Sequence, residues 1–290
     1  MAFLCIDIGG TNTLIGLGNG DFEEKKRVKS INFLSDIEAC IQEVIENAGY
    51  QREDINEVAV AAAGPMDREK GVFYPPNLSE DSELDEVQLR EPIEKFGELQ
   101  IINDCTAAVK GEHIYGASAE NMVYITISSG IGLGAIFNGE VVEGAGGNFG
   151  EIGHMKVNGD LECGCGRKGH WEAYSSGNRL PVMAEKLYDL EYTDAIDLFQ
   201  DYNSGNSGAA KVIEKMQEVN SEAFANIISL YNPEKIVFGG PVALNHTEIV
   251  IDEIRDEIKR KAVNEMPEIV PAELGDQSVL HGLRAYCNKN

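Results

Sequence analysis

The period of the apolar positions changes several times along the chain, and each change marks an element. Residues 2–8 and 13–18 are short apolar runs of strand type, separated by Gly9-Gly10-Thr11-Asn12. A third strand is expected over about 26–33. Between 35 and 48 the apolar residues Ile37, Cys40, Ile41, Val44 and Ile45 fall at helical spacing. Residues 57–63 read as a strand ending at Gly64-Pro65, and Pro75-Pro76-Asn77 as a loop. Ile101-Ile102 closes another strand, which hands over at Asn103-Asp104 to a helix running to about Tyr115. Further helices are expected over about 178–190, 206–230, 246–263 and 277–287. A short strand, 235–238, runs into Gly239-Gly240-Pro241.

The first pattern then recurs. Residues 6–20 and 125–139 align at a constant offset: the Ile, Ile, Leu, Asn and Gly positions coincide, and an acidic residue follows each copy (Asp21, Glu140). Each copy reads as strand, small-residue turn, strand, and an Asn-Gly hairpin turn. Such a repeat suggests a duplicated α/β domain facing its twin across a cleft.

Composition narrows the class. The 290 residues suit two domains, and 43% hydrophobic with 25% charged residues is ordinary for a soluble globular chain. No apolar run reaches the length of a membrane helix, and Met1 to Asp7 has no basic leader region, so neither a membrane partner nor a secretion signal is expected. A net charge of -25 argues against nucleic acid as a partner. Six irregularly spaced cysteines fit reduced thiols and a cytoplasmic location.

The glycine turns carry the first candidate chemistry. A triphosphate needs close backbone approach and inward N–H groups, which Gly and small hydroxyl residues allow. Gly9-Gly10-Thr11 follows a strand that carries Asp7, and a carboxylate beside a phosphate calls for a cation between them, so Asp7 is a candidate for holding Mg²⁺. Ser128-Ser129-Gly130 is the matching turn. No G-x-x-x-x-G-K-[ST] segment occurs, and Gly130-Ile131-Gly132-Leu133-Gly134 leads into a hairpin rather than a helix, unlike a dinucleotide fingerprint. Asp104, at a strand-to-helix junction, reads either as a helix cap or as a general base for phosphoryl transfer. His154, Cys163, Cys165 and His170 fall within 17 positions of a His-poor chain, with glycines between them. Two thiols and two imidazoles suit tetrahedral Zn²⁺.

Together these segments resemble the ROK family of repressors, open reading frames and sugar kinases, over nearly the whole chain. Asp7-Ile8-Gly9-Gly10-Thr11 is similar to its first phosphate motif, and Asn103-Asp104-Cys105-Thr106-Ala107-Ala108 to its catalytic segment. Gly150-Glu151-Ile152-Gly153-His154 and Cys163-Gly164-Cys165-Gly166 are similar to its sugar and zinc motifs, and the segment from Asn232 to Gly240 to its adenosine-side motif.

The resemblance implies an actin-like ATPase (ribonuclease H-like) α/β fold. Its two domains would be 1–107, completed by a C-terminal helix at 275–290, and 108–274. It implies ATP-dependent phosphorylation of a hexose hydroxyl, glucose first, with N-acetylhexosamine or fructose as alternatives. Asp104 would be the catalytic base. Asn77, Asn103, Asp104, Glu151, His154 and Glu172 would bind the sugar. Asp7, Gly9, Gly10, Thr11, Asn12, Ser129, Gly130, Gly239 and Gly240 would bind the nucleotide. His154, Cys163, Cys165 and His170 would hold a structural Zn²⁺, whose loss would touch the sugar site and not the nucleotide site directly. The family often forms dimers.

Departures are visible. His170 stands where the family has a third cysteine, Ser128-Ser129 where Gly-Thr is usual, and Ala62-Ala63 where Val-Pro is common. The loop after Asn77 lacks the frequent Pro-Gly-Trp. Two rival functions follow: a sugar-responsive repressor, for which the motif at Asp7 leaves no preceding helix-turn-helix, and a non-catalytic sugar sensor, against which Asp7 and Asp104 are both present.

Overall fold

The computed structural model describes residues 2–62, 66–67, 70–73, 86–157 and 159–287. The chain divides into two units. The first comprises Met1–Ser118, Glu140–Phe149 and Gln277–Asn290, and the second Ala119–Gly139 and Gly150–Asp276. The sequence reading divided the chain at 107. That point falls inside a helix that continues to Tyr115, and the first unit runs on to Ser118.

In the first unit, β1 (Ala2–Ile8), β2 (Asn12–Asn19) and β3 (Asp21–Lys29) form a meander. Helices α1 (Ser30–Ser35) and α2 (Ile37–Asn47) lead to β4 (Ile55–Ala62). Three two-residue strands, β5 (Met66–Asp67), β6 (Val72–Phe73) and β7 (Val87–Gln88), pair as a small antiparallel sheet. Then come α3 (Arg90–Glu94), β8 (Glu98–Asn103) and α4 (Asp104–Tyr115). The main sheet has the order β3-β2-β1-β4-β8, with β1, β4 and β8 parallel.

The second unit opens on the hairpin β9 (Met122–Ile127) and β10 (Ile131–Phe137); β11 (Glu140–Val141) belongs to the first unit. It continues through α5 (Glu172–Ser175), α6 (Leu180–Tyr188), α7 (Ala195–Asn203), α8 (Ser207–Tyr231), β12 (Lys235–Gly239), α9 (Pro241–Asn245), α10 (Thr247–Val250), α11 (Arg255–Lys261) and β13 (Glu268–Pro271). Its strands lie in the order β10-β9-β12-β13, with β9, β12 and β13 parallel. This repeats the arrangement of β2-β1-β4-β8, so the sequence repeat corresponds to a repeated sheet topology. Helix α12 (Ser278–Cys287) returns to the first unit.

Strand β1 is apolar from Ala2 to Ile6 because both of its faces are covered there. Leu4, Ile6 and Ile8 pack with Phe33, Ile41, Val44 and Ile45 on one side. Phe3 and Cys5 point the other way, toward Ala107, Leu280 and Leu283. Helices α4 and α12 touch at their backbones. A Cβ on Gly282 would sit 1.8 Å from the Ala107 carbonyl oxygen, and one on Gly111 would sit 2.2 Å from that of Ser278. The Ser278 hydroxyl donates to the buried carboxylate of Glu112 at 2.6 Å, which also accepts from the Ala117 N–H at 3.2 Å.

Two expected elements differ. The third strand ends at Lys29, because the Ser30 N–H bonds the Thr11 carbonyl at 3.0 Å and the chain turns into α1. The helix expected over 246–263 is broken into α10, a 3-10 turn at Asp252–Ile254, and α11. Ile249, Val250 and Ile251 are consecutive and all buried. One helical stripe cannot bury three successive side chains, so the axis changes there.

Candidate functional site

In the first unit, Asp7 sits half-buried near the end of β1, opposite Leu14. The turn after it, residues 9–12, closes with the Gly9 N–H on the Asn12 carbonyl at 3.1 Å. A Cβ on Gly9 would lie 2.9 Å from that same oxygen, so the tight turn has no room for one. The Ser30 hydroxyl donates to the Gly9 carbonyl at 2.6 Å and lies 3.0 Å from the Thr13 hydroxyl. Ser30 was not anticipated as part of this turn. Its only signal in the sequence is a lone hydroxyl residue within an expected strand.

The junction of β8 and α4 separates two roles that the sequence leaves together. Asn103 is the N-cap: its side-chain oxygen accepts from the Thr106 N–H at 3.0 Å and faces the Thr106 hydroxyl at 3.3 Å. Asp104 is the first helical residue, half-buried, with one carboxylate oxygen on the Cys105 N–H at 2.7 Å. Capping is therefore done by Asn103. The Asp104 carboxylate stands in the first turn, where the helix dipole favours negative charge. Asn77 lies outside the described residues.

In the second unit, residues 128–130 form a three-residue turn, since Ile127 pairs with Ile131. The Ser128 N–H bonds the Gly130 carbonyl at 2.8 Å, and the Ser128 carbonyl accepts from the Gly177 N–H at 2.7 Å. A Glu172 oxygen accepts from the Ile131 N–H at 3.1 Å, and a Cβ on Gly130 would come within 2.9 Å of it. At the end of β12, a Cβ on Gly239 would meet the Tyr124 hydroxyl at 2.0 Å. Gly240 has φ +83° and lies against the Ile127 carbonyl. Both of these glycines answer to close packing.

The Gly150 to His154 segment is laid against β10. The Leu133 N–H bonds the Gly150 carbonyl at 3.0 Å, and a Cβ on Gly150 would lie 1.8 Å from the Leu133 carbonyl. This packing fixes where Glu151 and His154 emerge. His154 turns Nδ1 toward the Cys163 sulfur at 3.7 Å and Nε2 toward the Glu151 carboxylate at 3.8 Å. Desolvation raises the Glu151 carboxyl above its usual range; His154 opposes this and Glu172 adds to it.

His154, Cys163, Cys165 and His170 bring one ligand atom each to within 4.8 Å of one another. The Cys165 sulfur lies 3.3 Å from His170 Nδ1. Bond lengths of about 2.0–2.3 Å to tetrahedral zinc separate neighbouring ligand atoms by roughly 3.3–3.8 Å, a range that the His154–Cys163 and Cys165–His170 pairs meet, and the two-thiol, two-imidazole donor set suits the ion. Burial first, then His154, holds His170 below the ordinary imidazole range, which favours the neutral ligand form. Burial pushes the Cys163 thiol up to about 11, so a metal must displace its proton. The loop is anchored by Trp171, fully buried, whose indole N–H donates to Asn220 of α8 at 2.8 Å. Neither Trp171 nor Asn220 was singled out from the sequence, although the chain's single tryptophan beside a ligand was a visible hint.

The family model described as "ROK family" matches residues 3–289. The chain belongs to the ROK family. It is 32% identical to a glucokinase of Pyrobaculum calidifontis over 290 residues, covering 99% of this chain and 95% of that one. Among solved structures it is similar to a ROK hexokinase from Thermus thermophilus, with a TM-score of 0.82 and 26% identity over 98% of this chain and 96% of the other. A ROK glucokinase from Streptomyces griseus, solved with glucose and AMPPNP, gives a TM-score of 0.79 at 23% identity over 99% of both chains. The fold is the actin-like fold of these kinases. Among the described residues no helix is long and apolar enough to cross a membrane.

Proposed function

We propose that this protein is an ATP-dependent sugar kinase that transfers the γ-phosphoryl group to a hydroxyl of a hexose, with glucose the preferred acceptor. The observation that carries this reading is Asp104. Asn103 makes the cap bond, and the Asp104 carboxylate stands beside it at the strand-to-helix junction, where it would accept the proton of the attacking hydroxyl. Phosphoryl transfer asks little more than that, positioning and charge neutralisation. The full-length likeness to a glucokinase supports the same reaction.

In this reading Asn77, Asn103, Asp104, Glu151, His154 and Glu172 bind sugar hydroxyls. The turns at 9–12 and 128–130, with Gly239 and Gly240, receive the nucleotide. Asp7 would hold Mg²⁺, which would neutralise phosphate charge. Zn²⁺ on His154, Cys163, Cys165 and His170 would have all four positions filled by protein, so its contribution is structural. The six free cysteines support a reducing, cytoplasmic setting.

The test is ADP release measured against glucose, fructose, N-acetylglucosamine and N-acetylmannosamine. Glucose should give the highest kcat/KM. A higher value for an N-acetylhexosamine would move the substrate assignment. No turnover with any sugar, despite measurable sugar binding, would favour a sensor and overturn the kinase reading.

A further inference from the structure

We propose that Glu172 is a positioning residue that fastens the second glycine turn to the metal loop, so that metal occupancy sets nucleotide affinity as well as sugar affinity. The inference rests on reading residues 128–130 as a nucleotide turn. The sequence reading kept the metal loop apart from the nucleotide site. The contacts within the second unit join them.

The segment from His170 to Gly177 starts at a metal ligand and meets the turn at two points. At its beginning, the Trp171 N–H bonds the Met155 carbonyl at 3.0 Å, and His170 bridges Lys156 across the loop. The first turn of α5 then forms on His170, whose carbonyl accepts from the Ala173 N–H at 3.1 Å. This places the Glu172 carboxylate against the 128–130 turn, where one oxygen takes the Ile131 N–H at 3.1 Å. The other oxygen faces the Cys163 sulfur at 3.8 Å. Beyond α5, the Gly177 N–H closes on the Ser128 carbonyl at 2.7 Å.

The turn is thus gripped on both flanks by one eight-residue segment whose first residue is a candidate zinc ligand. Gly130 belongs to the same contact, because a Cβ there would press on the Glu172 carboxylate at 2.9 Å. A hydrogen bond to a charged acceptor is stronger than a neutral one, and partners of this kind fix the orientation of what they touch. Releasing Glu172 frees the Ile131 amide and lets the turn open.

The experiment compares wild-type enzyme, Glu172→Ala and Glu172→Gln, each with zinc bound and after chelation, with zinc content measured throughout. Three quantities are read: amide hydrogen exchange over 128–133, AMPPNP affinity by calorimetry, and the KM values for sugar and ATP. In Glu172→Ala, exchange should accelerate on the order of 10–100-fold, as expected for losing a bond to a charged group. AMPPNP affinity and ATP KM should weaken together, by on the order of tenfold. Glu172→Gln keeps an acceptor oxygen and should restore slow exchange. Chelation should accelerate exchange in wild type and add little in Glu172→Ala.

Unchanged exchange over 128–133 after verified zinc loss and in Glu172→Ala would overturn the fastening. A rise in sugar KM alone, with exchange and AMPPNP affinity at wild-type values, would make Glu172 only a sugar contact and would also overturn it. Faster exchange with unchanged AMPPNP affinity would leave the fastening standing and overturn the reading of 128–130 as a nucleotide turn.

Discussion

In the first unit the turn between β1 and β2 spans residues 9–12 and is held by a neutral hydroxyl, Ser30, which arrives at the end of the same meander. In the second unit the corresponding turn spans only 128–130. It is held by a carboxylate, Glu172, which arrives 41 residues after Ile131 by way of a metal loop. The sheets around the two turns have the same strand order and directions. The first turn therefore depends on its own hairpin, and the second depends on a distant loop being folded. A duplicated scaffold can leave one copy self-sufficient and make the other conditional.

The comparison can be broken most severely at the chemistry that only the first unit carries. Asp104→Asn should lower kcat by about 10²–10⁴ while sugar still binds, because the amide keeps the shape and loses the proton acceptor. Steady-state ADP release and a sugar titration check it, and near-wild-type kcat would remove Asp104 from the chemistry. The second unit's counterpart is Cys165→Ser. Zinc content should drop well below one ion per chain, and kcat/KM for the sugar should fall on the order of 10²-fold as Glu151 and Glu172 lose their placement, with sugar KM raised more than ATP KM. Elemental analysis and kinetics decide this together; wild-type kinetics in a zinc-free variant would make the metal irrelevant.

Two smaller perturbations sharpen the contrast within the first unit. Gly282→Ala forces a methyl group onto the Ala107 carbonyl and should destabilise by roughly 1–3 kcal/mol. Zinc content should be untouched, because that site belongs to the other unit. Ser30→Ala removes the hydroxyl from the Gly9 carbonyl and should cost about 1 kcal/mol in thermal or urea unfolding. Its effect on exchange should be confined to residues near 9–13, with none at 128–133.

Much of this was legible along the chain because it is local. The repeated hairpin, the long helix α8, the terminal helix α12 and the clustering of four metal-ligand candidates all follow from short-range pattern. The Asn138-Gly139 turn has both residues at positive φ, +53° and +75°, as its dipeptide suggests. Its partner, Asn19-Gly20, differs: only Gly20 has positive φ, and a bulge falls between Leu17 and Gly18. Helix α7 was missed, although Asp194 caps it by accepting from the Asp197 N–H, a signal that was present. Strand β13 was also missed. It is four residues long and is stabilised by pairing with β12, which no local pattern announces. That the cap falls to Asn103 and not to Asp104 could not be read, because adjacent polar residues both satisfy the preference. The reach of Glu172 to Ile131 could not be read either, since it depends on how the intervening loop folds.

The packing of α12 against α4 and β1 sets an order of events during synthesis. Phe3 and Cys5 of β1, and Ala107 of α4, complete their core only with Leu280, Leu283 and Cys287. The ribosome delivers those residues after every strand of the second unit has been made. The first segment translated is thus the last to find its full set of neighbours, and until then one face of its sheet is covered only in part, by α4. Residues 119–139 and 150–276, made in between, have all of their own strands before that wait ends. A chain stopped just short of α12 would form the strands of each unit and leave the helix that begins at Asp104 without its α12 neighbour.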